Sequence, residues 1–407
     1  MKILLTLPRP LLPADTGGKI RSLNIFSRLA QRVEIHALSF ADPISDAMPI
    51  REMKAMFETY TAVPWHEAAK YSPRFYFDVL AKQFSSLPYF LAKCDGVGFR
   101  RAVKNLLAHH SFDVVLCDFL HTAALLLDIG FRPKVMFEHN VEFLLRKRKH
   151  EMEKQPLKRF ILAMDWKKTR MIEAMACRSY DHVLTVSKED KQTLVDEFAI
   201  DQISVVPTGV DTDFFHPTDL PSQPGKLVFV GSMDWDPNED GMLWFLREVY
   251  PKIRRAVPYI SLSIVGRNPS SKLRAIAARE PAVEITGRVP DVRPYLSAAE
   301  VVVVPLRVGG GTRIKIPEAM AMAKPIVSTR IGAEGLPFHN GREIRIADLP
   351  EDFARAVVEL LNNDSARASM GAAARTRVST KHSWHAVVST MEEILERVAW
   401  SGQRVVA

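Results

Sequence analysis

The feature that most constrains this chain is a recurring short run of apolar, β-branched residues with no polar alternation. Such runs cover residues 3–6, 33–38, 114–117, 134–137, 182–186 and 204–206, then 227–231, 261–265, 283–286, 301–305, 326–328 and 343–346. A strand with one face in water alternates polar and apolar residues. A strand buried on both faces of a parallel sheet reads as a continuous apolar run. Segments of helical length separate the runs, as crossovers between parallel strands require. The class is therefore α/β.

Residues 207–225, PTGVDTDFFHPTDLPSQPG, interrupt this rhythm with a crowd of Pro, Gly, Ser, Thr and Asp, the composition of a loop or linker. They divide the 407 residues into two Rossmann-like doubly wound domains, 1–207 and 208–407, each long enough to bury its own core. Helical patterns at 352–362, 365–377 and 384–399 close the chain, and the last helix can pack back on the N-terminal domain. Ligands of doubly wound sheets bind at the carboxyl ends of the strands, so two such sheets facing each other would form a deep cleft.

Charge and cysteine usage narrow the function. The net charge of +8 permits an anionic partner without naming one. It is concentrated in residues 146–170, where ten Lys or Arg face Glu151, Glu153 and Asp165, with Leu157, Phe160, Ile161, Met164 and Trp166 interleaved. This stretch reads either as a basic amphipathic segment for an anionic membrane surface or as a solvated helix packed on its own domain. It contains no recognisable nucleic-acid module. Cys94, Cys117 and Cys177 form neither a disulfide framework nor a zinc spacing, which fits a reducing compartment. The initial apolar run stops at Pro8 and no window is long enough to span a bilayer, so a cytoplasmic protein is expected.

The most informative segment is 303–329, VVPLRVGGGTRIKIPEAMAMAKPIVST. A buried strand ends at Pro305. Gly309, Gly310 and Gly311 then allow close backbone approach to a ligand. Thr312, Arg313 and Lys315 follow, and a helix beginning near Pro317 would aim free N–H groups at an anion. Glu318 can accept hydrogen bonds from two neighbouring hydroxyls. Together these parts suit a nucleoside diphosphate with its ribose. The pattern is neither a Walker loop nor a dinucleotide fingerprint. No Asp-x-Asp pair stands at a strand end to clamp a metal, and Asp211 and Asp213 fit the linker.

This segment resembles the donor-binding motif of glycosyltransferase family 4, retaining enzymes of the GT-B fold. Its GGGTRIK pattern resembles the subgroup that makes bacterial exopolysaccharide. Pro207–Asp211 with Phe214 or Phe215 is similar to the family's interdomain element. Gly231 followed by Asn238, Trp244 and Phe245, then Gly266, Gly287–Arg288 and Val304–Pro305, fall in family order. The resemblance implies two Rossmann-like domains facing across a cleft, the first on the acceptor side and the second holding a nucleotide-sugar donor. It implies that Glu318 binds the donor ribose and that Gly231, Arg288, Gly310, Gly311 and Thr312 lie along the donor site, with Arg313 and Lys315 on the diphosphate. Gly310 stands where the family carries the first glutamate of its E-x7-E motif, and Ser232–Asp234 stand where Arg and Lys are usual. In the first half, Gly17 and Gly18 resemble the family's glycine loop near the donor phosphates. His139, in FEHN after a strand, would contact the transferring sugar or the acceptor. Glu138 would be a base if the reaction inverted. Lys19 and Arg21 are phosphate or acceptor contacts, or surface charge.

The expected activity is retaining, hexosyltransferase-type transfer from a UDP-sugar or GDP-sugar to a glycan or lipid-linked acceptor, in cell-surface polysaccharide synthesis, at the inner face of the membrane. No metal or resident cofactor is expected. The alternatives are a nucleotide-sugar 2-epimerase of the same fold and a catalytically inactive donor-binding partner. The aromatic and basic residues of 71–99 read equally as an acceptor grip and as a core helix with a basic outer side.

Overall fold

The computed structural model describes residues 1–66, 72–73, 81–82, 85–94, 96–218, 220–308 and 314–403. The chain forms two compact units. One comprises Met1–Pro207 and the chain from Val388 onward; the other is Thr208–Val387.

In the first unit, β1 (Lys2–Leu7), β2 (Glu34–Ala41), β3 (Thr59–Pro64), β4 (Val114–Asp118), β5 (Lys134–Phe137), β6 (His182–Thr185) and β7 (Ile203–Val205) form one sheet in the order β3-β2-β1-β4-β5-β6-β7. All its pairings are parallel; Leu4 lies between His36 and Val115. The apolar runs explain the sheet. Ile3, Leu4 and Leu5 are wholly buried, because helices cover both faces. β3 is the strand that the apolar runs did not disclose. It is an edge strand that buries only Tyr60 and Val63 of its apolar residues and ends in a proline, a residue tolerated there because no further strand needs its N–H.

In the second unit, β8 (Lys226–Val230), β9 (Ser261–Val265), β10 (Val283–Gly287), β11 (Val301–Val304), β12 (Ile326–Ser328) and β13 (Arg345–Ile346) form a parallel sheet in the order β10-β9-β8-β11-β12-β13. Phe245 anchors its core, edge-on to Phe353 at 5.8 Å; burying a phenyl ring of this kind contributes about 1.5–3 kcal/mol. A π-helical turn, Phe245–Val249, precedes Pro251. The Tyr250 N–H reaches back to the Phe245 carbonyl, and the widened turn relieves the clash a proline ring makes with the carbonyl four residues earlier.

Each sheet has one place where strand order reverses: between β1 and β4 in the first, between β8 and β11 in the second. Connections leave such a point in opposite directions and open a crevice at the carboxyl ends. The two candidate sites lie there. The closing helix Trp384–Gln403 buries Val387, Val388, Met391 and Leu395 on one helical face.

Candidate active site

In the second unit, β8 ends at Val230 and the helix Lys315–Ala321 follows β11. The Lys315 ammonium donates to Asn238 Oδ1 at 2.6 Å and lies 4.3 Å from the centre of the Phe229 ring. Asn238 in turn donates to the Ser232 carbonyl at 2.7 Å, so one buried amide fixes both the lysine and the loop after β8. Gly231 sits beneath this pair. A Cβ there would stand 2.7 Å from Lys315 Nζ and 2.8 Å from Asn238 Nδ2, so the backbone must be glycine for the cation to occupy the crevice.

Glu318 follows in the first turn, half-buried. Burial raises its carboxyl from 4.5 to about 7, against the opposing pull of Lys315. Among the described residues its carboxyl has no hydrogen-bond partner, so its acceptor capacity is open to a ligand. Gly310, Gly311, Thr312 and Arg313, with Gly309, lie outside the described residues. Arg288 is exposed directly after β10, with β9 between it and the crevice strand β8.

The first unit builds a different site. Gly17 and Gly18 are the opening residues of the helix Gly17–Leu29 and not a free loop, because Thr16 caps that helix by accepting the Lys19 N–H. A Cβ on Gly18 would lie 2.7 Å from the tip of the Phe119 ring. Phe119 itself holds φ at +67°, a left-handed conformation costing a bulky residue on the order of 1–3 kcal/mol unless its surroundings enforce it. Its surroundings do: the ring stacks on His139 with centroids 3.9 Å apart and planes 11° from parallel.

His139 is buried with both ring nitrogens engaged. Nε2 is 2.6 Å from Asp118 Oδ1, and Nδ1 is 3.4 Å from a guanidinium nitrogen of Arg21. Arginine can only donate. Nδ1 is therefore the acceptor and Nε2 carries the proton toward Asp118, which leaves a neutral imidazole. Burial lowers the imidazole pKa, opposed by Asp118. Ser22 donates to the other Asp118 oxygen at 2.7 Å. Arg21 is wholly buried, its pKa lowered to about 10 by burial and held up by Asp190 and Asp118; it is not surface charge. Lys19 instead pairs with Asp15 at 3.2 Å.

Glu138 is buried too, one residue past β5. It hydrogen-bonds Glu173, and its Oε2 has no partner among the described residues. Glu173 accepts the N–H groups of Glu142 and Phe143, each at 2.7 Å, and so caps the helix Glu142–Met152 from a distant segment. Burial raises both carboxyls well above the usual range, with repulsion from Glu173 and Glu142 adding to it at Glu138 and repulsion from Glu142 at Glu173, so the pair keeps its protons at pH values where ordinary carboxyls have lost them.

The sequence comparisons follow the division of the chain. Residues 50–214 match the model for Glycosyltransferase Family 4, and residues 224–363 that for Glycosyl transferases group 1. A phosphatidyl-myo-inositol mannosyltransferase of Mycobacterium tuberculosis is 29% identical over 213 residues, 49% of this chain and 55% of that protein. An uncharacterized 44.6 kDa protein in the cps region of Klebsiella pneumoniae is 23% identical over 278 residues, 65% of this chain and 70% of that one. The chain spans just over half the length of the first of these relatives. Among solved structures, sucrose-phosphate synthase from Thermosynechococcus elongatus has a TM-score of 0.69 at 17% identity, covering 98% of this chain and 100% of its own. HepE of Anabaena, in complex with UDP, has a TM-score of 0.69 at 13% identity, with coverage of 98% and 100%. Two parallel-sheet units with these neighbours define the GT-B fold of glycosyltransferases. Within that class the chain belongs to the family 4 type.

Proposed function

We propose that the chain is a retaining glycosyltransferase that moves a sugar from a nucleoside diphosphate donor, held in the second unit, to a glycan or lipid-linked acceptor met by the first. The observation that carries this reading is the Lys315–Asn238–Gly231 cluster at the reversal point of the second sheet, with Glu318 beside it. Breaking the bond between the anomeric carbon and the diphosphate develops negative charge on the leaving oxygen. A preorganised ammonium stabilises that charge more than it stabilises the intact donor. Lys315 and Arg313 take this part, Glu318 accepts from the ribose hydroxyls, and the departing phosphate assists the incoming hydroxyl. The UDP bound to HepE supports UDP-sugar as the donor. His139 serves from behind Phe119, fixing the ring that lines the acceptor side.

The resemblance of GGGTRIK to the exopolysaccharide subgroup supports a place in cell-surface polysaccharide synthesis. Attachment to the inner face of an anionic membrane is supported by Met152, Leu157 and Phe160, which are 64%, 74% and 61% exposed. They stand beside exposed Lys154, Lys158 and Arg159, the combination that an amphipathic interfacial segment presents to acyl chains and headgroups. No helix among the described residues is long and apolar enough to cross a membrane.

The test is calorimetric titration of UDP, GDP and ADP into wild type and Lys315→Ala. One diphosphate should bind preferentially, and loss of a charge-assisted hydrogen bond should weaken it by roughly tenfold to a hundredfold. A variant that binds as well as wild type would remove Lys315 from the donor site.

A further inference from the structure

The loop that leaves β8 at the crevice carries no cation of its own: residues 231–241 read GSMDWDPNEDG. Its cations come from neighbouring segments. Asn238 holds Lys315 from the helix after β11. Ser232 holds Arg267 from the turn after β9, with Arg267 Nε donating to Ser232 Oγ at 2.8 Å. We propose that Arg267 is a further phosphate-binding cation of the donor site, grasping the diphosphate through the outer edge of its guanidinium. The inference rests on the donor reading above and adds to it a residue from a separate segment.

Backbone contacts fix the arginine in this place. The Gly231 N–H donates to the Val265 carbonyl and the Met233 N–H to the Arg267 carbonyl, both at 2.9 Å. The two turns press so closely that a Cβ on Gly266 would stand 1.8 Å from the Gly231 carbonyl oxygen, so only glycine fits. Asn268 holds φ at +54°, a left-handed conformation that asparagine takes more readily than most residues. From there its Nδ2 donates to Asp234 Oδ2 at 2.9 Å. Hydrogen bonds then link one cation to the other: Lys315 to Asn238, Asn238 to the Ser232 carbonyl, and Arg267 to the Ser232 hydroxyl. Ser232 thus stands between both cations, at the carboxyl ends where a ligand of such a sheet binds.

The guanidinium has a counter-charge, and the geometry leaves its other side to a ligand. Asp234 Oδ2 makes its closest approach at Arg267 Nε, 3.3 Å away. The hydrogen bonds from Ser232 and Asn268 hold the Asp234 carboxyl below its usual range, so it is an anion. Nη1 and Nη2 of Arg267 make no hydrogen bond among the described residues, and the side chain is 44% exposed. The remaining acids of the loop are directed elsewhere. Glu239 accepts from the Ser270 hydroxyl, and Asp240 is held by Arg307 through both oxygens. Asp236 is exposed in the first turn of the helix Asp236–Trp244, where the helix dipole favours it. A guanidinium presents five N–H donors in a planar fork, so an anion at its outer edge need not displace Asp234. Lys315 supplies a point charge, and the fork of Arg267 matches two oxygens of one phosphoryl group.

The experiment is titration of UDP, UMP and uridine into the full chain as wild type, Arg267→Gln, Arg267→Lys and Asp234→Asn. Arg267→Gln should weaken UDP by about tenfold, the low end for a charge-assisted contact because the site is open to water. It should leave uridine unchanged. Arg267→Lys should lose less, since it keeps the charge without the fork. Asp234→Asn keeps the shape of the loop and removes the nearest negative charge, so it should tighten UDP by about twofold to tenfold. The opposite signs separate phosphate binding from a mere clamp between the two turns, which both substitutions would loosen alike. An equal loss of UMP affinity assigns Arg267 to the inner phosphoryl group, and a loss confined to UDP assigns it to the outer one. UDP affinity indifferent to Arg267→Gln, a loss shared by uridine, or an Asp234→Asn variant weakened as much as Arg267→Gln overturns the proposal and leaves the donor reading standing. A wild type that binds neither UDP nor GDP overturns both together.

Discussion

Glu318→Gln should make the chain more stable and, at the same time, a poorer nucleotide binder. Burial raises the Glu318 carboxyl from 4.5 to about 7, which corresponds to about 3 kcal/mol against the carboxylate as a ceiling. Because the folded state holds this proton more tightly than the unfolded state, its stabilising effect is full below pH 4.5. It is then lost as pH rises through about 7. At pH 8 the wild type carries a half-buried anion that Lys315 answers only in part. Glutamine removes that charge and keeps the shape, so the variant should gain up to about 3 kcal/mol at pH 8 and almost nothing at pH 4.5. Nucleotide binding should move the other way, since an ionised carboxylate accepts two ribose hydroxyls and an amide oxygen accepts less strongly. Between pH 6 and 8 wild-type affinity should rise by about tenfold relative to the variant; using the ratio cancels titration of the diphosphate itself. Urea unfolding and calorimetry at the three pH values measure both effects. Destabilisation of Glu318→Gln at pH 8, or an affinity ratio that does not change with pH, would refute the placement of a strained carboxylate at the ribose.

Gly18→Ala sets a methyl group against a Phe119 ring pinned by His139 and should cost about 1–3 kcal/mol in urea unfolding; adding Phe119→Leu should recover most of it, as a double-mutant cycle would show. Glu138→Gln leaves one ionisable group in the buried pair with Glu173. Both carboxyls are raised, so wild-type stability falls as pH climbs above the ordinary carboxylate range, and the variant should fall less steeply, by up to about 1.4 kcal/mol per pH unit. Parallel slopes from pH 6 to 9 would show that Glu138 releases no proton in that window and would refute its raised carboxyl. Replacing Leu157 and Phe160 by Asp should abolish sedimentation with vesicles rich in anionic lipid while leaving UDP affinity intact; unchanged sedimentation would locate any membrane contact elsewhere.

The sequence discloses those parts of the fold that depend on local pattern. β11, Val301–Val304, is a run of four valines and reads as a buried parallel strand without further help. β3 does not, because an edge strand buries too little to need a long apolar run. Lys315 and Glu318 are legible because one short segment holds them together with the glycines. The cluster at Asp118 is not: its partners Arg21, Ser22 and His139 are 97, 96 and 21 positions away in the chain, and only the adjacency of β1, β4 and β5 brings them together. One signal was available for Glu173. It falls beside Ile172, Ala176 and Cys177 on the buried face of its helix, and an acid on that face must find a partner or a proton.

The second unit, Thr208–Val387, is topologically an insertion, because the chain that leaves the first unit at Pro207 returns to it at Val388. The chain's modularity is therefore internal and not end to end. A recombination event that exchanged everything beyond the linker would carry away the returning segment, whose Glu392 pairs with Arg32 at 2.8 Å. With the donor assigned to the second unit as proposed, an exchange of donor specificity between related chains needs two crossovers, one near Pro207 and one near Val388. Lineages that acquire a new donor while keeping their acceptor should show both junctions.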